Sequence, residues 1–175
     1  TIIDESGLDW ERVVFHCFSE GPEELKQLRQ RGARASFTGI ITYGNADKVR
    51  QAAIEQGFEP TTISTDLHVK NLHGPVYDMP TTMSKFLYLG VPLERVIEMS
   101  TSRPAQALGR EGELGTLKVG TVADIAVLQM HEGDFVLSDS YKQTRIGHQL
   151  LNAAGTIRRG EMVPGGGGLR MRHFA

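Results

Sequence analysis

Apolar runs and helical periods alternate along the first third of the chain. Residues 12 to 18 (RVVFHCF) form a nearly continuous apolar run, the pattern of a strand buried on both faces. Residues 22 to 31 (PEELKQLRQR) predict a helix. Pro22 suits its first turn, Glu23 and Glu24 favour the positive end of its dipole, and Gly32 supplies a stop. A second strand is predicted over residues 33 to 41 (ARASFTGII). Asn45 can cap a helix from Ala46 to Gln56, which Gly57 ends. Residues 61 to 65 (TTIST) predict a third strand. Strand, helix, strand, helix, strand at intervals of about 20 to 27 residues is the pattern of parallel βα units.

Beyond Asp66 the texture changes. Residues 67 to 79 form a long connection rich in His, Asn, Gly and Pro, and loops of that length inside compact domains are usually functional. Helices are predicted from Pro80 to Leu89, stopped by Gly90, and from Pro92 to about Ser100, with a further turn from Pro104 to Leu108. Asp78 or Thr81 can cap the first of these, with Met83, Phe86 and Leu87 as core residues. From Gly112 the period is that of β structure. Ala123 to Leu128 predicts a buried strand, and residues 156 to 163 (TIRRGEMV) predict a hairpin bent at Arg159-Gly160-Glu161. The run Pro164 to Gly168 predicts a flexible end. The expected division is therefore 1–110 for the βα region, 111–163 for a small β module, and 164–175 for a Gly-rich tail.

Composition narrows the function classes. The chain has 175 residues, 39% hydrophobic and 23% charged, within the ordinary range for a globular protein. Nineteen Lys and Arg stand against 21 Asp and Glu, for a formal charge of −2, which argues against a non-specific nucleic-acid binder. The single cysteine, Cys17, excludes a disulfide framework within the chain and fits a reducing, cytoplasmic setting. No apolar run approaches the length of a membrane span, and the acidic N-terminal stretch does not read as a signal peptide.

Two residues stand where parallel βα architectures place catalytic groups, at the C-terminal ends of strands. His16 ends the first strand and Asp66 the third. A common rim lets an imidazole and a carboxylate converge across 50 residues of chain, a pair that suits Zn²⁺ or a related divalent ion. A carboxylate there can also serve as general base. Each residue has a plainer reading: a histidine at a strand end is more often structural, and an aspartate after a strand is often a cap. His68 and His73 read singly as solvated loop histidines. With Lys70 and Asn71 they make a polar cluster beside Asp66 that could meet an amide-bearing or anionic substrate. Cys17, adjacent to His16, points to the opposite face of the strand and reads as core.

A family resemblance enters on these residues. His16-Cys17-Phe18-Ser19, residues 36 to 42 (SFTGIIT), Asn45-Ala46 and Thr65-Asp66 resemble the second half of TatD-type metal-dependent hydrolases. That resemblance implies metal-ligand roles for His16 and Asp66, and a base role for Asp66. The continuation differs. Residues 62 to 68 (TISTDLH), 74 to 87 (GPVYDMPTTMSKFL) and 100 to 105 (STSRPA) resemble the amidohydrolase/deacetylase group related to dihydroorotases. Residues 115 to 128 (GTLKVGTVADIAVL) are similar to the composite β-sandwich flanking the barrel in cyclic-amide amidohydrolases, which TatD enzymes lack. Both groups belong to the amidohydrolase superfamily.

The resemblance implies an α/β fold. It would be the C-terminal part, about strands six to eight, of a TIM-like (βα)8 barrel plus a small β-sandwich module. It further implies hydrolysis of C–N bonds in amide, N-acyl or cyclic amide compounds, with one or two divalent ions, zinc the expected metal. Asp66 would be catalytic, His16 and Asp66 metal ligands, and His68, Asn71 and His73 substrate-binding. A complete barrel takes about 250 residues, and the superfamily's HxH metal pair and bridging Lys or Glu have no match here. The chain thus reads as a portion whose open first strand calls for cover by the rest of a barrel or by a second copy. Alternatives are a TatD-like phosphodiesterase and a non-catalytic half-barrel.

Overall fold

The computed structural model describes residues 2–15, 22–38 and 60–164. The helix expected over 46–56 and the Gly-rich tail lie outside the described residues. A short helix, α1 (Ile2–Ser6), and a 3₁₀ turn (Trp10–Arg12) open the chain. Neither carries the hydrophobic period of a packed helix. The segment is held instead by polar and ring contacts: Trp10 Nε1 and Arg31 both donate to the Asp4 carboxylate, and the Arg31 guanidinium lies 4.8 Å from the Trp10 ring.

The expected parallel layer is present. Strands β1 (Val14–Phe15), β2 (Arg34–Thr38) and β3 (Thr62–Ser64) form a sheet in that order. Val14 pairs with Arg34, and Ser36 with Thr62, both in parallel register. Between β1 and β2 runs α2 (Pro22–Gln30), with the acidic first turn and basic last turn that favour a helix dipole. After the loop come α3 (Met79–Tyr88), α4 (Leu93–Ser100) and α5 (Ser102–Ala107). Asp78 caps α3: its Oδ1 accepts from the Thr81 backbone N–H at 2.8 Å, and Pro80 occupies the first turn.

The second sheet is larger than its sequence suggests. Strands β4 (Ile125–Ser138) and β5 (Thr144–Arg158) make a long antiparallel ribbon, and β6 (Glu161–Met162) returns against β5. Only residues 123 to 128 and the β5–β6 bend read as β from the sequence. Register shifts between Val127 and Leu128, and between Glu132 and Phe135, break the period-two alternation that would have marked the rest. The β5–β6 bend has Arg159 at φ 50° and Gly160 at φ 84°, both left-handed, as a tight hairpin turn requires. Gly115 is required by contact: at φ 67°, a Cβ would lie 2.4 Å from the Thr101 carbonyl oxygen.

One apolar core joins the two sheets. Ala35 and Ile63 from the parallel sheet meet Met83 and Phe86 of α3, Leu89 at its C-terminal cap, Val96 and Met99 of α4, and Leu151 of β5. Leu128 and Met130 of β4 pack against this cluster. A buried polar link reinforces it. Ser84 Oγ donates to the Pro80 carbonyl and accepts from the Leu151 backbone N–H, both near 2.7–2.8 Å. Helix α3 is therefore the element that ties the βα layer to the ribbon.

Candidate functional site

Strands β1, β2 and β3 point the same way, so their C-terminal ends share a rim. Asp66 stands two residues beyond Ser64 at the end of β3. Thr65 Oγ1 accepts from the Leu67 backbone N–H at 3.2 Å and turns the chain there. Asp66 itself adopts φ 50°, a left-handed conformation that aspartate and asparagine tolerate better than most residues. It is half-buried, and its backbone carbonyl accepts from Asn71 Nδ2 at 2.8 Å. The carboxylate makes no hydrogen bond or ion pair to any described residue. An acceptor group at a strand end, partly withdrawn from solvent and bonded to no described residue, is available for chemistry.

The loop after Asp66 is built around Asn71. This residue is buried, and both ends of its amide bond within the loop: Oδ1 accepts from the His68 N–H, while Nδ2 donates to the Asp66 carbonyl, each at 2.8 Å. Its own carbonyl accepts from Gly74 and, more weakly, Tyr77. Asn71 thus joins Asp66 and His68. His68 is exposed, with Nδ1 accepting from the Lys70 N–H at 3.2 Å, which leaves Nε2 as the proton-bearing nitrogen of the neutral ring. His73 is exposed on the same loop and bonds to none of these residues. His16 and Cys17 lie outside the described residues.

Carboxylate oxygen is a suitable donor for a divalent cation, and Asp66 offers it on the rim. Among the described residues no three His, Cys, Asp or Glu side chains gather as a metal cluster. Asp66 is therefore the ligand candidate whose placement is described.

Lys85 has no obvious role in the sequence, where it is one residue of a helix. In the fold it is 7% exposed and its Nζ donates to the Pro75 carbonyl at 2.6 Å, tying α3 to the end of the loop that begins at Asp66. Burial pulls its pKa down to about 8 from 10.5, and the negative charge of Asp139 opposes part of that shift. Asp139 is itself buried and caps the β4–β5 turn, accepting at Oδ1 from the Tyr141 and Gln143 N–H groups. A cationic lysine confined to an apolar helix face has no sequence signature that separates it from a solvated one.

The sign of its contribution is fixed. Between pH 8 and 10.5 the unfolded chain holds a proton on this amine that the folded chain has released. Stability therefore rises with pH across that window, and the burial penalty is fully present below it. The rise should be on the order of 2–3 kcal/mol. Urea unfolding at pH 7.5 and pH 10 checks it: wild type should gain stability relative to Lys85→Met, and equal changes in the two proteins would refute the assignment.

Parallel βα units joined through one core to an antiparallel ribbon, with a carboxylate on the strand rim, are compatible with part of an α/β barrel of the amidohydrolase kind. The amidohydrolase family profile matches residues 13–163, and the chain belongs to that family. A deacetylase of Brucella anthropi is 38% identical over 138 residues, covering 73% of this chain and 34% of the relative. The crystal structure of a dihydroorotase matches with a TM-score of 0.69 at 30% identity, over 86% of this chain and 42% of that one. The crystal structure of an adenine deaminase matches with a TM-score of 0.76 at 24% identity, over 93% and 47%, a likeness of fold. The chain spans about a third of the length of that curated relative.

Proposed function

We propose that the chain is part of a hydrolase acting on C–N bonds of amide, N-acyl or cyclic amide compounds. The observation that carries this reading is the Asp66 carboxylate, half-buried just after β3 and bonded to no described residue. Kinship with a deacetylase and a dihydroorotase supports the bond class. Asp66 takes a proton from the attacking water as its oxygen bonds to the carbonyl carbon. It returns that proton to the departing nitrogen as the C–N bond breaks.

Asp66 and His16 would hold a divalent ion, zinc by preference, which when bound lowers the pKa of a coordinated water. His68 and His73, exposed on the loop after Asp66, would meet a small substrate. Asn71 serves the same site by fixing the loop. In this reading residues 1–110 supply about strands six to eight of a barrel, 111–163 the β module, and 164–175 a tail. The remaining metal ligands come from a preceding segment, and β1 is covered by that segment or by a second copy. A cytoplasmic setting is consistent with the single cysteine. Among the described residues no helix is long and apolar enough to cross a membrane.

The test uses protein expressed with all coding sequence in frame with it. Release of acetate from N-acetyl amino acids and opening of cyclic amides are measured beside cleavage of a bis-aryl phosphodiester. Amide turnover without phosphodiester turnover is expected. Phosphodiester cleavage alone would favour the TatD-like alternative and overturn the reading.

A further inference from the structure

The loop from Leu67 to Val76 is anchored at both ends. At the near end Asn71 Nδ2 donates to the Asp66 carbonyl, and Asn71 Oδ1 accepts from the His68 N–H. The Asn71 carbonyl accepts in turn from the Gly74 N–H at 3.0 Å. At the far end Lys85 Nζ donates to the Pro75 carbonyl, one residue beyond Gly74. A path of hydrogen bonds and short backbone links therefore runs from the Lys85 ammonium to Asp66. His73 lies between the two anchors.

Helix geometry explains how Lys85 reaches Pro75. Side chains on a helix lean toward its N-terminus, so the long lysine stem runs back along α3 toward the loop that enters it. The ribbon fixes this arrangement from the other side. Ser84, next to Lys85, accepts from the Leu151 N–H of β5. Asp139, buried at the β4–β5 turn, acts on the ammonium with its negative charge. Its Oδ1 is held by the Tyr141 and Gln143 N–H groups. Stability alone does not call for lysine at this place. The residue is buried, and withdrawing an ammonium from water is costlier than withdrawing an apolar chain of the same length. Lysine supplies what methionine cannot, a donor at the tip of a long stem.

We propose that Lys85 is a positioning residue for the loop that follows Asp66, and that the ribbon holds it to that task through Asp139. For its effect on turnover this rests on the hydrolytic reading above, in which His68 and His73 meet the substrate. For loop order it rests on the bonds alone.

Lys85→Met and Asp139→Asn, each in protein expressed with all coding sequence in frame, test the proposal. Methionine keeps the stem and removes the donor. Asparagine keeps an acceptor for the turn and removes the charge. Hydrogen exchange at the His68 and Gly74 amides should quicken about tenfold or more in Lys85→Met, and about threefold or more in Asp139→Asn. A change of global stability alone would appear at the Ile63 and Leu151 amides instead. With an amide substrate, KM should rise about fivefold or more in Lys85→Met, while kcat stays within about threefold because Asp66 keeps its place after β3. Wild-type exchange at His68 and Gly74 in Lys85→Met would overturn the proposal, and so would a loosened loop with unchanged KM. If Lys85→Met does not fold, Asp139→Asn decides by the same measures. Wild-type protein without amide turnover would defeat the hydrolytic reading only, and the exchange rates would still decide whether Lys85 orders the loop.

Discussion

Replacing Asp66 with asparagine should lower amide turnover by on the order of 10²–10⁴-fold, the loss usual for a general base. Asparagine is the informative substitution. It has nearly the same shape, and it tolerates the left-handed φ of 50° that Asp66 adopts. Alanine would add backbone strain to the chemical change. The fold should not register the change. The carboxylate bonds to no described residue, and the loop is held through the Asp66 carbonyl, which asparagine keeps. Steady-state kinetics beside a thermal melt separate the two effects: kcat should collapse while Tm stays within about 1 °C. A variant retaining more than a tenth of wild-type kcat would remove Asp66 from the chemistry. A large fall in Tm would show that the carboxylate supports the fold instead.

That separation between backbone duty and side-chain chemistry marks where the sequence was legible. The alternation of apolar runs and helical periods located β2, β3 and the helices α2, α3 and α4. Asp78 announced the start of α3 because a cap is a local device, readable from Asp78 and Pro80 alone. Asp66 was legible for a similar reason, since a carboxylate directly after a buried strand falls on the rim of a parallel sheet. The roles within the loop were not. Asn71 reads as a polar loop residue, yet it is buried with its amide committed to the loop backbone at Asp66 and His68. Only the folded path of the loop determines that. The ribbon was half-hidden because its bulges shift the register and scatter apolar residues between faces.

Phe86→Ala should produce the largest loss of stability, about 3–5 kcal/mol. Phe86 is 1% exposed in the last turn of α3. The cluster around it includes Ala35 and Ile63 of the parallel sheet, Met99 of α4 and Leu151 of the ribbon. Truncation leaves a void walled by several elements at once. No single neighbour can move in without disturbing another, so relaxation recovers little of the lost contact. For a chain of this size the loss corresponds to a fall in Tm of about 10 °C. Phe86→Leu, which keeps most of the apolar volume, should cost less than half as much. The shared core adds a second expectation. Because Phe86 bridges the βα layer and the ribbon, both should unfold in one transition that shifts as a unit. Calorimetry, with hydrogen exchange followed at Ile63 and at Leu151, reads this directly. A loss below about 1 kcal/mol would mean that the cavity collapses. Faster exchange at Leu151 with none at Ile63 would mean that the ribbon is stable or unstable on its own account, and that α3 does not couple the two sheets.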